Sequence, residues 1–517
     1  MPFDPKFDDY VSVDSTKLFV EADDSETAKP AGYLLWGDGV RIVDATPVNG
    51  RRKVRARGKT GFVKISALGG KSLLEIYFID VGQGDGLLIK TPDFRHIMID
   101  GGYPRDSQPT RKSAADFVDW KFVKDYASKT IVLDAMLASH CDWDHTGGLT
   151  DLLHLSTAGA DDEELDATAI TVETFHHAGV GWWQKPKANA PGQFDGRWLG
   201  AKDPTGKYLV QLLDDRASAE AALAANSAAP LQGKWRDLIT AVAASKRASG
   251  TPTAIHFATR AKDKLAAHAD VFLPGFAVAD GDVTIRVLSP VPEIVGGKPA
   301  LPVFEGGDDK NTNGHSIALR LDYGRTRTLL TGDLNKSAHH HLLELYAGQS
   351  LDFQADVSKA CHHGSGDVSF RFMQAMSAGV TIISSGDSEG HDHPKPQVVA
   401  AAGVSGHLSV ENDEVITPLV YSTELARSLN LGDPFKLTSG ATTIDGQAFE
   451  DARIFFKETK PGDLRATTKD RRAGNTDVVA GLIYGLVNVR TDGSKILCAT
   501  MNEGNGSFAV RSFKSRF

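Results

Sequence analysis

Through much of the first third of this chain, apolar residues come in runs rather than at helical spacing. LLEIYFIDV is apolar at nearly every position, as expected of a strand covered on both faces. LLIKT and HIMIDGG repeat the pattern beyond the glycine turn GQGDG, and the last of the three closes on Asp100. The period then changes. SAADFVDWKFVKDYA spaces its apolar residues as a helix does, and IVLDAMLASH returns to a strand that delivers His140 at its C-terminal end. LTDLLHL predicts the next helix. Further along, DVTIRVLSP reads as a strand and SIALRLDYGRTRTLLTGD as a hairpin ending on Asp333. A helix (SAHHHLLELYAG), a strand (ADVSKACHHGS), a helix and a strand (VTIISSGD) follow. GLVNVRTDGSKILCATM predicts a hairpin about an Asp-Gly turn, expected at an edge of the main fold. Strands first, then strand–helix alternation, predict a layered α/β fold.

Two stretches depart from this rhythm. Between about 15 and 70, short strands separated by turns (KLFVEAD, GYLLWGDGVRIVDATPV, RRKVRARGKTGFVKISAL) predict a small β-barrel, with 1–14 as a leader. The basic run Arg51 to Lys59 is either a ligand face or, more simply, a solvated strand face. Residues 155–280 are rich in alanine, aspartate and glycine, with helical stretches such as KWRDLITAVAASKRA. They predict an insertion or cap within a main domain of 71–517. His176 and His177, beside two tryptophans, are expected in its core.

Composition narrows the function. A formal charge of −9 over 517 residues argues against a general polyanion-coating protein. No apolar run reaches the roughly 18 residues that a membrane span needs, and the acidic N-terminus has no apolar signal core. Three cysteines (Cys141, Cys361, Cys498) are too few for a disulfide scaffold and fit a reducing cytoplasm. Cys141 and Cys361 adjoin histidines but are expected as small buried fillers.

The candidate chemistry lies at strand ends. SHCDWDH packs His140, Asp142, Asp144 and His145 into six residues. Asp100, Asp333 and the His362-His363 pair end or follow other strands, and Asp85 lies in GQGDG. Loops after strand ends converge in layered α/β folds. Together these residues offer imidazoles and carboxylates without a thiolate cluster, a donor set for zinc, manganese or iron. A tight turn can aim His140 and Asp142 at one cation and Asp144 and His145 at a second, with Asp333 as the bridge. His362, the first of its pair after the strand, is the favoured ligand over His363. Asp100 is expected to orient the His140–His145 loop, and Asp85 to do likewise or to sit near the water. Lys359 either meets an anion or snorkels to the surface. His339 to His341 are expected on a helix surface.

In this order, IDGG, SHCDWDHTGG, LLTGD and HHGS resemble the metallo-β-lactamase fold. FIDVGQGDGLLI, VTIRVLSP, NTNGHSIALRL and ACHHGSGDVS are similar to the soluble hydrolase domain of ComEC-type DNA-uptake channels. RGKTGFV resembles the last strands of bacterial SH3-like domains. The resemblance implies a four-layer αββα sandwich with a helical insertion, behind an SH3-like barrel whose ligand is unknown. It implies a hydrolase in which two divalent ions (zinc or manganese) bridge a hydroxide, most simply a phosphodiesterase or nuclease, with Asp144 essential. The usual HxHxDH motif carries Asp142 at its third position here, which makes the first site harder and shifts preference from zinc towards manganese or magnesium. The third-motif histidine is not matched cleanly; NTNGHS offers His315, with Asn313 or a water as alternatives. In GHDHPKP, His393 is placed to protonate a leaving oxygen. A lactone or β-lactam hydrolase, or a non-catalytic scaffold, are the competing readings.

Overall fold

The computed structural model describes residues 3–108, 112–155, 165–386, 393–423, 428–430, 435–455, 470–472, 479–481, 486–502 and 505–517. Two compact units are present, one of Met1–Glu424 with Tyr484–Phe517, the other of Leu425–Ile483.

The first unit is a mixed α/β body built on two large sheets. One has nine strands, in the order Ala254–Phe257, Ala169–His177, Thr130–Leu137, His96–Gly101, Gly86–Lys90, Leu74–Ile79, Leu486–Thr491, Lys495–Met501 and Phe508–Lys514. The first four of these run parallel, and the remainder pair antiparallel. The other has six, in the order Val283–Ser289, Ala318–Tyr323, Thr326–Leu330, Val357–Lys359, Val380–Ile383 and Leu419–Ser422.

Period-two alternation explains why LLEIYFIDV is apolar throughout. Leu74, Ile76 and Phe78 join Ile285, Val287, Leu319 and Leu321 in a core shared by the two sheets. Tyr77 and Ile79 point the other way, against Phe117, Val118, Leu149 and Leu152 of the helices Ala114–Trp120 and Trp143–Leu153. Both faces are therefore dry, and truncating a side chain such as Phe78 costs about 3–5 kcal/mol. The outer face of the six-stranded sheet is covered in the same way. Ala318 and Leu329 pack with Leu342, Phe372 and Val398 from the helices Lys336–Leu345, Phe370–Met376 and Pro396–Ser405.

The segment read as an insertion does more than cap. Its strands Ala169–His177 and Ala254–Phe257 extend the nine-stranded sheet, and between them lie the helices Arg216–Leu223 and Gly233–Ala244. The C-terminal hairpin pairs Leu486–Thr491 with Leu74–Ile79.

Ahead of the sheets, a four-stranded antiparallel sheet (Asp9–Tyr10, Gly39–Val48, Arg51–Ala56, Lys59–Lys64) and the pair Ser15–Leu18 and Gly32–Leu35 enclose Val11, Leu18, Leu34, Val40, Val54 and Val63. Residues read as a leader take part: Asp9–Tyr10 is a strand, and the rings of Phe3 and Phe7 meet Tyr126. A buried ionic network ties this layer to the large sheet. Arg490 Nη2 lies 2.7 Å from Asp38 Oδ1 and 3.5 Å from Glu75 Oε2, and Lys90 Nζ lies 2.9 Å from Glu75 Oε1. Among the basic run, Arg51 is buried, capping the carbonyls of Ala22 and Asp24, while Arg55 is exposed.

The second unit holds the hairpin Lys436–Ser439 and Thr442–Asp445, the helix Gly446–Asp451 with Phe449 buried, and two further strand pairs. Among the described residues, no helix is long and apolar enough to cross a membrane.

Candidate metal centre

His140 follows the strand Thr130–Leu137, and Asp142 is the N-cap residue of the helix Trp143–Leu153. Asp142 keeps extended backbone while the next residues turn helical, so Asp144 and His145 sit in the first turn. Two glycines let neighbouring loops close on this turn. A Cβ at Gly84 would lie 1.7 Å from the Asp144 carbonyl oxygen, and one at Gly148 would lie 2.1 Å from that of Gly101. The glycines of GQGDG and DHTGG are thus required by close backbone approach.

Asp100 orients the loop from below. Its Oδ1 accepts from the Ser139 backbone N–H at 2.7 Å, and its Oδ2 lies 2.8 Å from His145 Nδ1. Asp100 is itself left-handed, at φ 55°. So are His362 and His363, at φ 48° and 52°, in the turn after Val357–Lys359. Such backbone costs of order 1–3 kcal/mol per residue and persists where the surroundings over-determine it.

The imidazoles meet at Asp333. Its Oδ2 lies 3.0 Å from His363 Nε2, 3.3 Å from His145 Nε2 and 3.8 Å from His362 Nε2. His145 Nε2 and His363 Nε2 are 3.2 Å apart. The opposite ring nitrogens fix the tautomers. His363 Nδ1 faces the Ser384 carbonyl at 2.9 Å, which only accepts, and His145 Nδ1 faces the Asp100 carboxylate. In the neutral rings both Nε2 atoms therefore carry lone pairs, and with Asp333 Oδ2 three acceptors share one point. A divalent cation satisfies all three at once.

Four overlapping donor groups lie at or beside this point, each with ligand atoms within 4.8 Å of one another: His140, His145 and Asp333; Asp144, His145 and His363; Asp85, Asp333 and His363; and, at the far nitrogen of His145, Asp85, Asp100 and His145. His140 Nε2 also lies 3.5 Å from Asp142 Oδ2. Asp142 is held by two donors, Thr312 Oγ1 at 2.8 Å and Trp182 Nε1 at 3.1 Å. His393 belongs to the same neighbourhood, its ring 5.7 Å from that of His362 and 6.4 Å from that of His363. His391 lies outside the described residues.

Several sequence expectations shift. His363, not His362, is the wholly buried member of the pair and the nearer to Asp333; His362 sits on the outer side, 3.3 Å from Asn313 Nδ2. His315 is not brought to the centre. Its Nε2 bonds the Pro302 carbonyl at 2.8 Å, and its ring stacks on Phe304. Lys359 neither snorkels nor waits for an anion, because its ammonium is buried between Asp85, which it pairs directly, and Asp333 Oδ1 at 3.5 Å. His339 is core, stacked 4.2 Å from Phe372. Residue spacing carried no signal for Trp182, Thr312 or Ser384, which reach the centre from separate elements.

Charge in this pocket is strongly coupled. Burial alone would lower the His363 pKa, but the Asp333 and Asp85 carboxylates outweigh it and push it up to about 9. Burial likewise disfavours charge on His145, and Asp333 and Asp100 reverse the effect, raising it well above the ordinary range. Asp333 is held well below the carboxylate range: burial would raise it, and His363, His145, His362 and Lys359 overcome that. The Cys361 thiol is pushed up to about 11 by burial, so it stays protonated as a filler.

No family model matches the chain. Over 96 residues it is 31% identical to ComE operon protein 3 of Bacillus subtilis (strain 168), a match that covers 18% of this chain and 12% of that protein.

Proposed function

We propose that this chain is a metal-dependent phosphodiesterase of the metallo-β-lactamase fold, related to the ComEC-type hydrolase domain. The observation that carries this reading is the convergence of His145 Nε2, His363 Nε2 and Asp333 Oδ2 on one point, with the opposite ring nitrogens turned to Asp100 and the Ser384 carbonyl. The partial similarity to ComE operon protein 3 and the order of the four motifs support it. Asp144, His145, Asp333 and His363 would hold one cation, and His140, Asp142, Asp333 and His362 a second. Two divalent ions, zinc or manganese, would supply Lewis acidity and a nucleophilic water near neutral pH.

The chain's own residues do the rest. Asp100 and the Ser384 carbonyl fix which nitrogens of His145 and His363 face the centre. Lys359 neutralises Asp333 Oδ1 and leaves Oδ2 to the histidines. His393, half-buried beside His362, is placed to give a proton to the departing oxygen. A carbon-ester or lactam hydrolase of this fold would draw on a third-motif histidine, and His315 is committed to Pro302 instead.

The test is a metal and substrate panel: bis-p-nitrophenyl phosphate, single- and double-stranded DNA and nitrocefin, each with zinc and with manganese. Turnover of the phosphodiesters is expected, with manganese at least as effective as zinc. Hydrolysis of nitrocefin alone, or of nothing, overturns the proposal.

A further inference from the structure

Beside the centre stands a set of aromatic rings and cations that the hydrolytic chemistry does not use. Trp182, from the segment 155–280, donates its indole N–H to Asp142 Oδ1. The guanidinium of Arg197 lies over the same ring, 4.1 Å from its centroid. Arg197 is exposed and makes no ion pair with a described residue, and its strand, Phe194–Trp198, is pinned antiparallel to Trp183–Pro186. The next residue after Asp142 also carries a ring with a cation beside it, here Lys234, which lies 3.9 Å from Asp237 Oδ2 as well. Trp143 is half-buried, with Tyr103 edge-on at 5.3 Å and the Lys234 ammonium 5.3 Å from its ring centroid. Two cation-bearing rings thus flank adjacent residues of the metal turn.

Resting on the phosphodiesterase reading above, we infer that this rim binds a single-stranded nucleic acid, with Arg197 and Lys234 meeting backbone phosphates and the Trp143–Tyr103 pair taking an unpaired base. The chemistry argues for a strand rather than a duplex. Bases stack on protein rings only when their faces are free, and stacking with arginine beside it is how sequence-tolerant strand binders work. The overall charge of −9 makes local cations necessary, since an acidic chain gains nothing from general attraction to phosphate. Arg197 is pre-positioned by its ring contact, so little freedom is lost when a phosphate arrives.

The experiment is fluorescence anisotropy of the full, metal-loaded chain with a fluorescein-labelled decathymidylate carrying cleavage-resistant phosphorothioate linkages, beside a duplex of the same length. The single strand is expected to bind at least tenfold more tightly than the duplex. Arg197→Ala and Trp143→Ala are each expected to weaken strand binding about tenfold, and Arg197→Lys to recover only part of the loss. Equal affinity for duplex and strand, or wild-type affinity in Arg197→Ala, overturns the inference. Hydrolysis of bis-p-nitrophenyl phosphate by the unmodified chain separates the two claims. Hydrolysis without preferential strand binding rejects the rim alone; strand binding that depends on Arg197 without any hydrolysis rejects the enzyme and keeps the rim.

Discussion

The Nε2 atoms of His145 and His363 stand 3.2 Å apart although 218 residues separate them in sequence. Without a cation, protons must fill the space between those nitrogens and Asp333, which is why both imidazoles titrate high. A cation entering at pH 7.5 must therefore expel protons. Calorimetric titration with zinc or manganese in two buffers of different ionisation enthalpy is expected to show release of at least one proton per chain. Binding with no proton release would sink the convergent-acceptor argument.

The same groups set the alkaline stability of the metal-free chain. His363 has a folded pKa of about 9, above its unfolded value of about 6.5. Its contribution is full below about pH 6.5 and is lost as pH rises through about 9. Thermal melts in chelator are expected to fall across that window and to be flatter when metal is bound. A metal-free melting temperature that rises from pH 7 to 9.5 would contradict this sign.

Lys359 separates two buried carboxylates, Asp85 and Asp333. Lys359→Met leaves both without their cation and should destabilise the metal-free chain by about 3–5 kcal/mol in urea unfolding. Added metal should restore part of that loss, because it would neutralise the same Asp333 carboxylate through its other oxygen. A neutral substitution would mean that the lysine is dispensable for holding Asp333.

Asp144→Ala and Asp333→Ala are expected to cut phosphodiester turnover by at least about 100-fold, the scale of losing an electrostatic stabiliser, with an unchanged circular dichroism spectrum. His315→Gln should keep the metal content measured by mass spectrometry, because His315 faces Pro302. Metal lost from that variant would return His315 to the ligand set.

Arg490 joins Asp38 of the N-terminal layer to Glu75 of the large sheet. Arg490→Met takes one cation from two buried carboxylates, Glu75 keeping Lys90 and Asp38 keeping Arg57, and should cost up to about 3 kcal/mol. Scanning calorimetry of the unaltered chain is expected to show the N-terminal strands melting with the large sheet; a separate early transition from that layer would contradict the coupling.

Much of the α/β body was legible because burial on both faces leaves a plain mark. LLEIYFIDV and the start of VTIISSGD are apolar runs of strand length, and the candidate site announces itself by crowding two histidines and two aspartates into six residues. What escaped depended on contacts between distant segments. Nothing near Lys359 in sequence reveals that Asp85, more than 270 residues earlier, neutralises it in the interior. Which of His362 and His363 lies deeper and nearer Asp333 follows from two left-handed residues in succession, which residue type does not encode. His315 was misleading because a histidine beside a glycine after a polar loop looks free, whereas Phe304 and Pro302 occupy its ring. The segment 155–280 looked like a cap because its helical stretches drew the eye, although Ala169–His177 is a nine-residue strand of the large sheet.

The pairing of Leu74–Ile79 with Leu486–Thr491 also bears on how the molecule is made. On a ribosome the first of these strands emerges some 400 residues before its neighbour, so one side of it waits unpaired until Leu486–Thr491 has been made. An open β edge of that kind invites association between nascent chains. The hairpin of Leu486–Thr491 and Lys495–Met501 is what closes it, and the edge is open to association until those residues have been made.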